Sequence, residues 1–274
     1  MPGFSLAHLS VLEVGPPDLA SLAASAGFES FGIRLSSPMP GGTEYPLRAG
    51  SQAMRETQQR IADLGVRVSD IEVIRLAQDT DVDSYRSVFE AGAELGAQRA
   101  CVNVDDGDRK RVIDRFGALC ELAADYSIVL DLEFMIWRPI ARLEDALDVV
   151  SAVGLSNGRI LVDALHLIRS GGSASAVAAI DPQWIGSVQL CDAPLASPAP
   201  SAIIDEARGL RLPPGEGELP LLELLAALPP GIPIAAEVPM TQRFPAMSAL
   251  ARASRIHDAT AKLLQRSASA GSAR

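Results

Sequence analysis

The chain has 274 residues, with 24 Lys plus Arg against 34 Asp plus Glu and a formal net charge of −10. An acidic chain without a basic cluster argues against nucleic acid as a partner, because phosphate contacts need a positive patch. No apolar run approaches the ~20 residues of a membrane span. Only Lys110 and Lys262 are lysines, and there are three histidines (His8, His166, His257) and three cysteines (Cys101, Cys120, Cys191). That leaves almost no candidate for Schiff-base catalysis, too few ligands for a histidine-built zinc site, and no spacing for a disulfide framework. The opening MPGFSLAHLS has neither a basic nor a strongly apolar leader region, so a cytoplasmic, reducing location is expected.

The first apolar run, FSLAHLSV (4–11), reads as a strand. It is followed by PPDLASLAASAG (16–27), whose prolines and closing Gly27 are helix start and stop signals. SFGIRL (30–35) is the second strand, with a helix over 51–65 that ends in Gly65. VRVSDIEVIRL (66–76) is the third, followed by a helix over 83–96 that ends in Gly96. RACVNV (99–104) and a helix over 108–126 make the fourth unit, and SIVLDLEF (127–134) and a helix over 143–154 the fifth. GRILVDA (158–164) is the sixth strand, with a weaker helical pattern over 173–180. IGSVQLC (185–191) precedes a helix over 218–228, and PIAAEV (233–238) precedes a long one over 244–266.

These β-branched, nearly continuous apolar runs fit parallel strands buried on both faces. Eight strictly alternating units of roughly 25–35 residues predict an α/β fold closed as a (β/α)8 TIM barrel. No GxGxxG loop follows the first strand, which argues against an open dinucleotide-binding sheet. Residues 1–266 are expected to form one domain, and SASAGSAR (267–274) a disordered tail. The segment from Cys191 to Gly217 is the longest without clear structure, and such loops tend to carry function.

In such a barrel the C-terminal ends of the strands face the active site. Four successive strands finish on a metal-capable side chain: Glu133, Asp163, Gln189 and Glu237. Each would be costly to bury alone. Together they offer up to four oxygen ligands, suited to a hard or borderline divalent ion such as Mg²⁺ or Mn²⁺. His166, three residues after Asp163, can point into the same mouth as a base or substrate ligand. His8 either reaches the cavity or fills the core. Arg34 and Arg75 end the second and third strands, and with Arg211 can bind carboxylate, phosphate or hydroxyl oxygens of a substrate. Trp137 is either a cavity wall or packing outside the barrel. Asp105, Asp106 and Asp108 read as turn and helix-start residues. His257 is expected on the surface, and no role is assigned to Glu72.

The quartet resembles the metal site of the xylose-isomerase-like barrels, which include sugar isomerases, ketose epimerases, inosose dehydratases, dehydroshikimate dehydratases and endonuclease IV. The resemblance spans nearly the whole chain, and its more specific pieces are LDLEFMIW, LVDALHLIRSGG, VQLCDAP and RLPPGEGELPL. It implies one divalent metal ion (Mn²⁺, Mg²⁺, Co²⁺ or Zn²⁺) held by Glu133, Asp163, Gln189 and Glu237. It also implies a small polyhydroxylated carbonyl substrate, with a homo-oligomer left open. The chain lacks the histidines and basic groove of an endonuclease IV. Ketose epimerases usually carry histidine where Gln189 stands, whereas dehydroshikimate dehydratases resemble this chain in having glutamine there. They also share an Asp-Ala-Pro stretch (Asp192, Ala193, Pro194) and an arginine (Arg211) ahead of a PG-G segment. FGIRL departs from many members by offering Arg34 where an acidic residue is common.

The chemistry implied is proton abstraction next to a carbonyl. In a sugar or sugar-phosphate isomerase or epimerase, the most common activity of such barrels, Glu133 and Glu237 would exchange the protons. In a lyase of the dehydroshikimate or inosose dehydratase kind, His166 would take the proton as water leaves. A non-catalytic ligand-binding barrel would have no need of four metal-capable strand ends.

Overall fold

A computed structural model describes residues 3–272. Eight parallel strands close into a barrel in the order β1 to β8: β1 Ser5–Leu6, β2 Ser30–Arg34, β3 Arg67–Leu76, β4 Arg99–Val104, β5 Val129–Glu133, β6 Gly158–Asp163, β7 Ile185–Leu190 and β8 Ile234–Ala236. The ring shuts where β1 pairs with β8, Ser5 opposite Ala235. The main helices that follow are α1 Asp18–Ser25, α2 Gln52–Leu64, α3 Arg86–Glu94, α4 Arg109–Ala124, α5 Leu143–Val153, α6 Ala164–Arg169, α7 Ala174–Ala178, α8 Ile203–Gly209, α9 Leu221–Ala227 and α10 Ala249–Ser272.

Their ends follow local chemistry. Ser51 caps α2 by accepting the Met54 N–H, and Gly65 closes it in the left-handed region at φ 66°. Asp108 caps α4 through the Arg111 N–H, in keeping with its expected place at a helix start.

The strands alternate as a barrel requires. On β5, Leu130 and Leu132 join the large apolar core, while Asp131 and Glu133 are buried polar residues of the same strand. The barrel is therefore not apolar throughout. Val73, Cys101 and Leu161 form a small apolar cluster of their own. Toward the strand N-termini, Arg99 makes a two-pronged ion pair with Asp131 at 2.6 and 2.5 Å.

Four elements differ from the sequence reading, among them α6, which follows β6 without a break. The first strand stops at Leu6, and residues His8–Val11 form a 3-10 turn. The reason is Glu72, whose carboxylate accepts the N–H groups of His8 (2.5 Å) and Leu9 (3.1 Å), groups that a continuing strand would give to its neighbours. The long loop after β7 contains α8 and an antiparallel bridge between Asp192 and Leu212. The segment expected as a disordered tail is helical as far as Ser272, and residues 273 and 274 lie outside the described residues.

Candidate active site

At the strand C-termini a cavity of about 380 Å³ is lined by, among others, Arg34, Glu133, His166, Gln189, Arg211 and Glu237. Glu133 and Asp163 are the last residues of β5 and β6, and Gln189 lies opposite Asp163 in the β6–β7 register. Glu237 follows β8 directly, fixed by its N–H to the Leu190 carbonyl (3.0 Å). All four expected strand-end residues are buried. Asp163 also caps α6, its Oδ1 accepting the His166 N–H at 2.9 Å. That cap sets His166 beside the carboxylates, with Nε2 3.7 Å from Glu133 Oε1. Glu133, Asp163 and His166 each offer one ligand atom within 4.8 Å of the others, a group that can hold a metal ion.

Arg211 ties the quartet together. Its Nη1 donates to Asp163 Oδ2 at 2.6 Å, its Nη2 lies 3.2 Å from Glu237 Oε2, and its Nε donates to the Ala207 carbonyl. Gln189 Nε2 donates to Glu237 Oε1 at 3.0 Å, while Gln189 Oε1 is buried without a partner. Three carboxyl groups face one guanidinium, so the floor of the cavity is two charges negative once all three have lost their protons, as metal binding requires. Burial, with the Asp163 charge beside it, pushes Glu133 up to about 7. Burial also lifts Glu237 well above the usual carboxylate range, although Arg211 opposes the shift. Burial would raise Asp163 too, but the charges of Arg211 and His166 hold it low. Burial lowers His166 to about 4, so its ring is neutral near pH 7.

The donor set fits a hard divalent cation. It supplies four buried oxygens, one of them the orphaned Gln189 Oε1, and a negative surplus that such a cation would neutralise.

Of the expected substrate-binding residues, Arg34, Trp137 and Arg211 line the cavity. Trp137 packs edge-on against His166, ring centroids 5.0 Å apart. Arg34 is held by Glu72, Nη2 to Oε2 at 3.1 Å. His8 does not reach the cavity. Its Nε2 pairs with the Val14 carbonyl and its Nδ1 accepts the Arg34 N–H, both at 2.8 Å, and the ring stacks on Tyr45. Both ring nitrogens are thus spent on main chain, which makes His8 a structural fastening between the first two strands. Arg75 is likewise turned away, because Asp105 captures its Nε at 2.6 Å. His257 is not a free surface residue but packs against Phe4 and Phe28.

Among the cavity residues to which the sequence reading gave no site role are Glu72, Asn103, Arg138 and Arg208. Asn103 donates to Glu133 Oε2 at 2.7 Å. A polar residue inside the apolar run RACVNV was the available signal for it, as Glu72 within DIEVI was for the Arg34 clamp.

A family profile described as "Xylose isomerase-like TIM barrel" matches residues 20–260. The chain is 25% identical over 237 residues to the 3-dehydroshikimate dehydratase of Pseudomonas putida, a match that covers 82% of this chain and 35% of that protein. It therefore spans about a third of the length of that curated relative. Among solved structures, it is similar to a xylose isomerase-like TIM barrel/4-hydroxyphenylpyruvate dioxygenase fusion protein (TM-score 0.79, 22% identity, 96% of this chain and 42% of that one). The IOLI protein with a bound zinc atom is also similar (TM-score 0.79, 15% identity, 96% of this chain and 98% of that one). At these identities the two structures speak for the fold alone.

Proposed function

The chain belongs to the xylose isomerase-like TIM barrel family, and from that premise we propose that it is a divalent-metal-dependent lyase, which dehydrates a cyclic hydroxy ketone of the 3-dehydroshikimate type. The observation that carries this reading is the unequal commitment of the proton-transfer groups. Glu133 is held by Asn103, and Glu237 by Arg211 and Gln189. His166 lines the cavity with Nδ1 buried and unpartnered. One neutral base suits elimination. Epimerisation needs proton transfer on two faces of the carbon. The name of the P. putida relative, and glutamine at position 189, support the same choice.

Glu133, Asp163, Gln189 and Glu237 would hold the metal, leaving His166 for the proton. With a divalent ion bound, the site would gain a Lewis acid able to polarise a carbonyl and offset negative charge on its oxygen. His166 takes the proton from the carbon next to the carbonyl as the C–C double bond forms. It returns that proton to the hydroxyl group whose C–O bond breaks, so water is the leaving group and no other reactant is consumed. Arg211 holds Asp163 low and opposes the rise of Glu237, and its hydrogen bonds keep both in place. Trp137 walls the histidine on one side.

Incubating the purified protein with 3-dehydroshikimate and Mn²⁺, Mg²⁺ or Co²⁺ is expected to produce aromatic absorbance. Absence of product with all three ions would overturn the reading. A second reading, a sugar or sugar-phosphate isomerase or epimerase, is favoured by one observation, that Glu133 and Glu237 both line the cavity. Interconversion of a ketose with solvent deuterium entering carbon would establish it instead.

A further inference from the structure

We infer that Trp137, Arg138 and Arg208 form an anion subsite at the rim of the cavity, which takes a carboxylate or phosphate carried by the substrate. The inference rests on the cavity being the active site, as proposed above, and names the class of molecule it admits.

Charge is the first observation. Arg138 pairs with Asp105, but Asp105 also takes Arg75, so one carboxylate serves two guanidinium groups. Arg208 on α8 is exposed, lines the same cavity, and forms no ion pair with any described carboxylate. The rim therefore carries a positive surplus from Arg138 and Arg208, whereas the floor made by Glu133, Asp163, Glu237 and Arg211 is built to take a cation. A ligand complementary to both carries oxygens toward a cation on the floor and an anionic group toward the rim. The two arginines also act on each other: burial and the nearby charges of Arg208 and Arg75 press the Arg138 guanidinium down from its ordinary value.

Hydrogen bonding is the second observation. Among the described residues, six buried side-chain nitrogen or oxygen atoms have no partner, and five belong to residues that line this cavity. Three of those five are N–H donors: Arg34 Nε, Trp137 Nε1 and Arg138 Nε. Buried donors without acceptors are costly and uncommon. Two lie in consecutive residues of one loop, Trp137 and Arg138, where an acceptor-rich anion would satisfy both. Arg34, by contrast, is already neutralised by Glu72 and adds no net charge.

Trp137 supplies the probe for a test. The chain has two tryptophans, and Trp184 lies next to the start of β7, at the opposite end of the barrel. In a Trp184→Phe background with Mn²⁺ present, the emission of Trp137 reports ligand entry. Three ligands without a ketone or aldehyde group are titrated: shikimate as the carboxylate, sorbitol 6-phosphate as the phosphate, and myo-inositol as the neutral ligand. At least one anion is expected to bind tenfold or more tightly than inositol, and which one does so identifies the anionic group. Arg208→Gln, at an exposed position, is expected to abolish that preference and leave inositol binding within twofold. Equal binding of all three ligands, or a preference that survives Arg208→Gln, would overturn the subsite. The dehydratase reading fails separately. Anion preference without aromatic product overturns that reading alone, and aromatic product without anion preference overturns the subsite alone.

Discussion

Arg211 and Asp163 form a fully buried ion pair, Nη1 2.6 Å from Oδ2, with side chains 2% and 0% exposed. The pair joins the loop after β7 to the end of β6, so one guanidinium fixes both a strand end and a loop. Arg211→Ala would strand a buried carboxylate beside Glu133 and Glu237. Removing one partner of a buried pair costs about 3–5 kcal/mol. A urea titration of the metal-free variant is expected to show a loss of that size, and a loss below about 1 kcal/mol would show that the pair is not held as described.

Glu133 gives a pH dependence with a definite sign. Its folded-state value is raised to about 7 from an ordinary 4.5, with burial as the leading cause. Between those values the folded chain holds the extra proton, so this group makes the metal-free protein lose stability as pH rises from about 4.5 to 7. His166, lowered to about 4, acts in the opposite sense below 6.5. The measurement is therefore a comparison with Glu133→Gln, which keeps His166. The decline attributable to Glu133 should vanish in the variant. Identical pH profiles for the two proteins would contradict the assigned burial.

Asn103 donates its side-chain amide to Glu133 and opposes the rise that burial causes. Asn103→Ala should raise the Glu133 value further. Because a carboxylate must lose its proton to bind a metal ion, Mn²⁺ affinity at pH 7 should fall several-fold in the variant and recover toward pH 8.5. Calorimetric titration at the two pH values checks this. A loss that is the same at both would point to geometry alone.

The parts of the site visible in the sequence are those where an ionisable or amide side chain ends an apolar run, as Glu133, Asp163, Gln189 and Glu237 do. A strand carries the residues at and beside its end to a fixed place, so chain position alone locates these four. Side chains whose direction is decided by a partner far away in the chain were not legible. His8 lies within an apolar run and Arg75 near the end of one, but Val14 and the Arg34 backbone claim the first, and Asp105 claims the second. Arg208 was hidden for a different reason. Its helix α8 is only seven residues long and follows PLASPAPS, whose prolines and serines read as loop.

His166 separates the two roles open to it, base or metal ligand. As the base, His166→Gln should lower turnover of 3-dehydroshikimate by about 10²–10⁴-fold and leave bound Mn²⁺ per chain unchanged. Metal content by plasma emission, measured beside the rate, decides the matter. If the metal is lost along with the activity, His166 is a ligand and the proton must go to Glu133 or Glu237.

Gly217, in the PPGEGE segment, sits where Asp192 gathers the loop beside the cavity. Asp192 accepts the N–H groups of Ala193, Gly215 and Leu219, each at 2.9 Å, and bridges to Leu212 through main chain. This clasp gathers the loop that carries Arg208 and Arg211. A Cβ on Gly217 would fall well inside 3.0 Å of both Asp192 Oδ1 and the Ala193 carbonyl oxygen. Neither atom is the free end of a flexible chain, so the loop itself would have to shift. Gly217→Ala is expected to destabilise the fold by about 1–3 kcal/mol, as overpacking does. It should also raise the KM for 3-dehydroshikimate more than it lowers kcat, because the arginines move while His166 on α6 stays in place. A variant with wild-type KM and stability would show that Asp192 does not hold the loop.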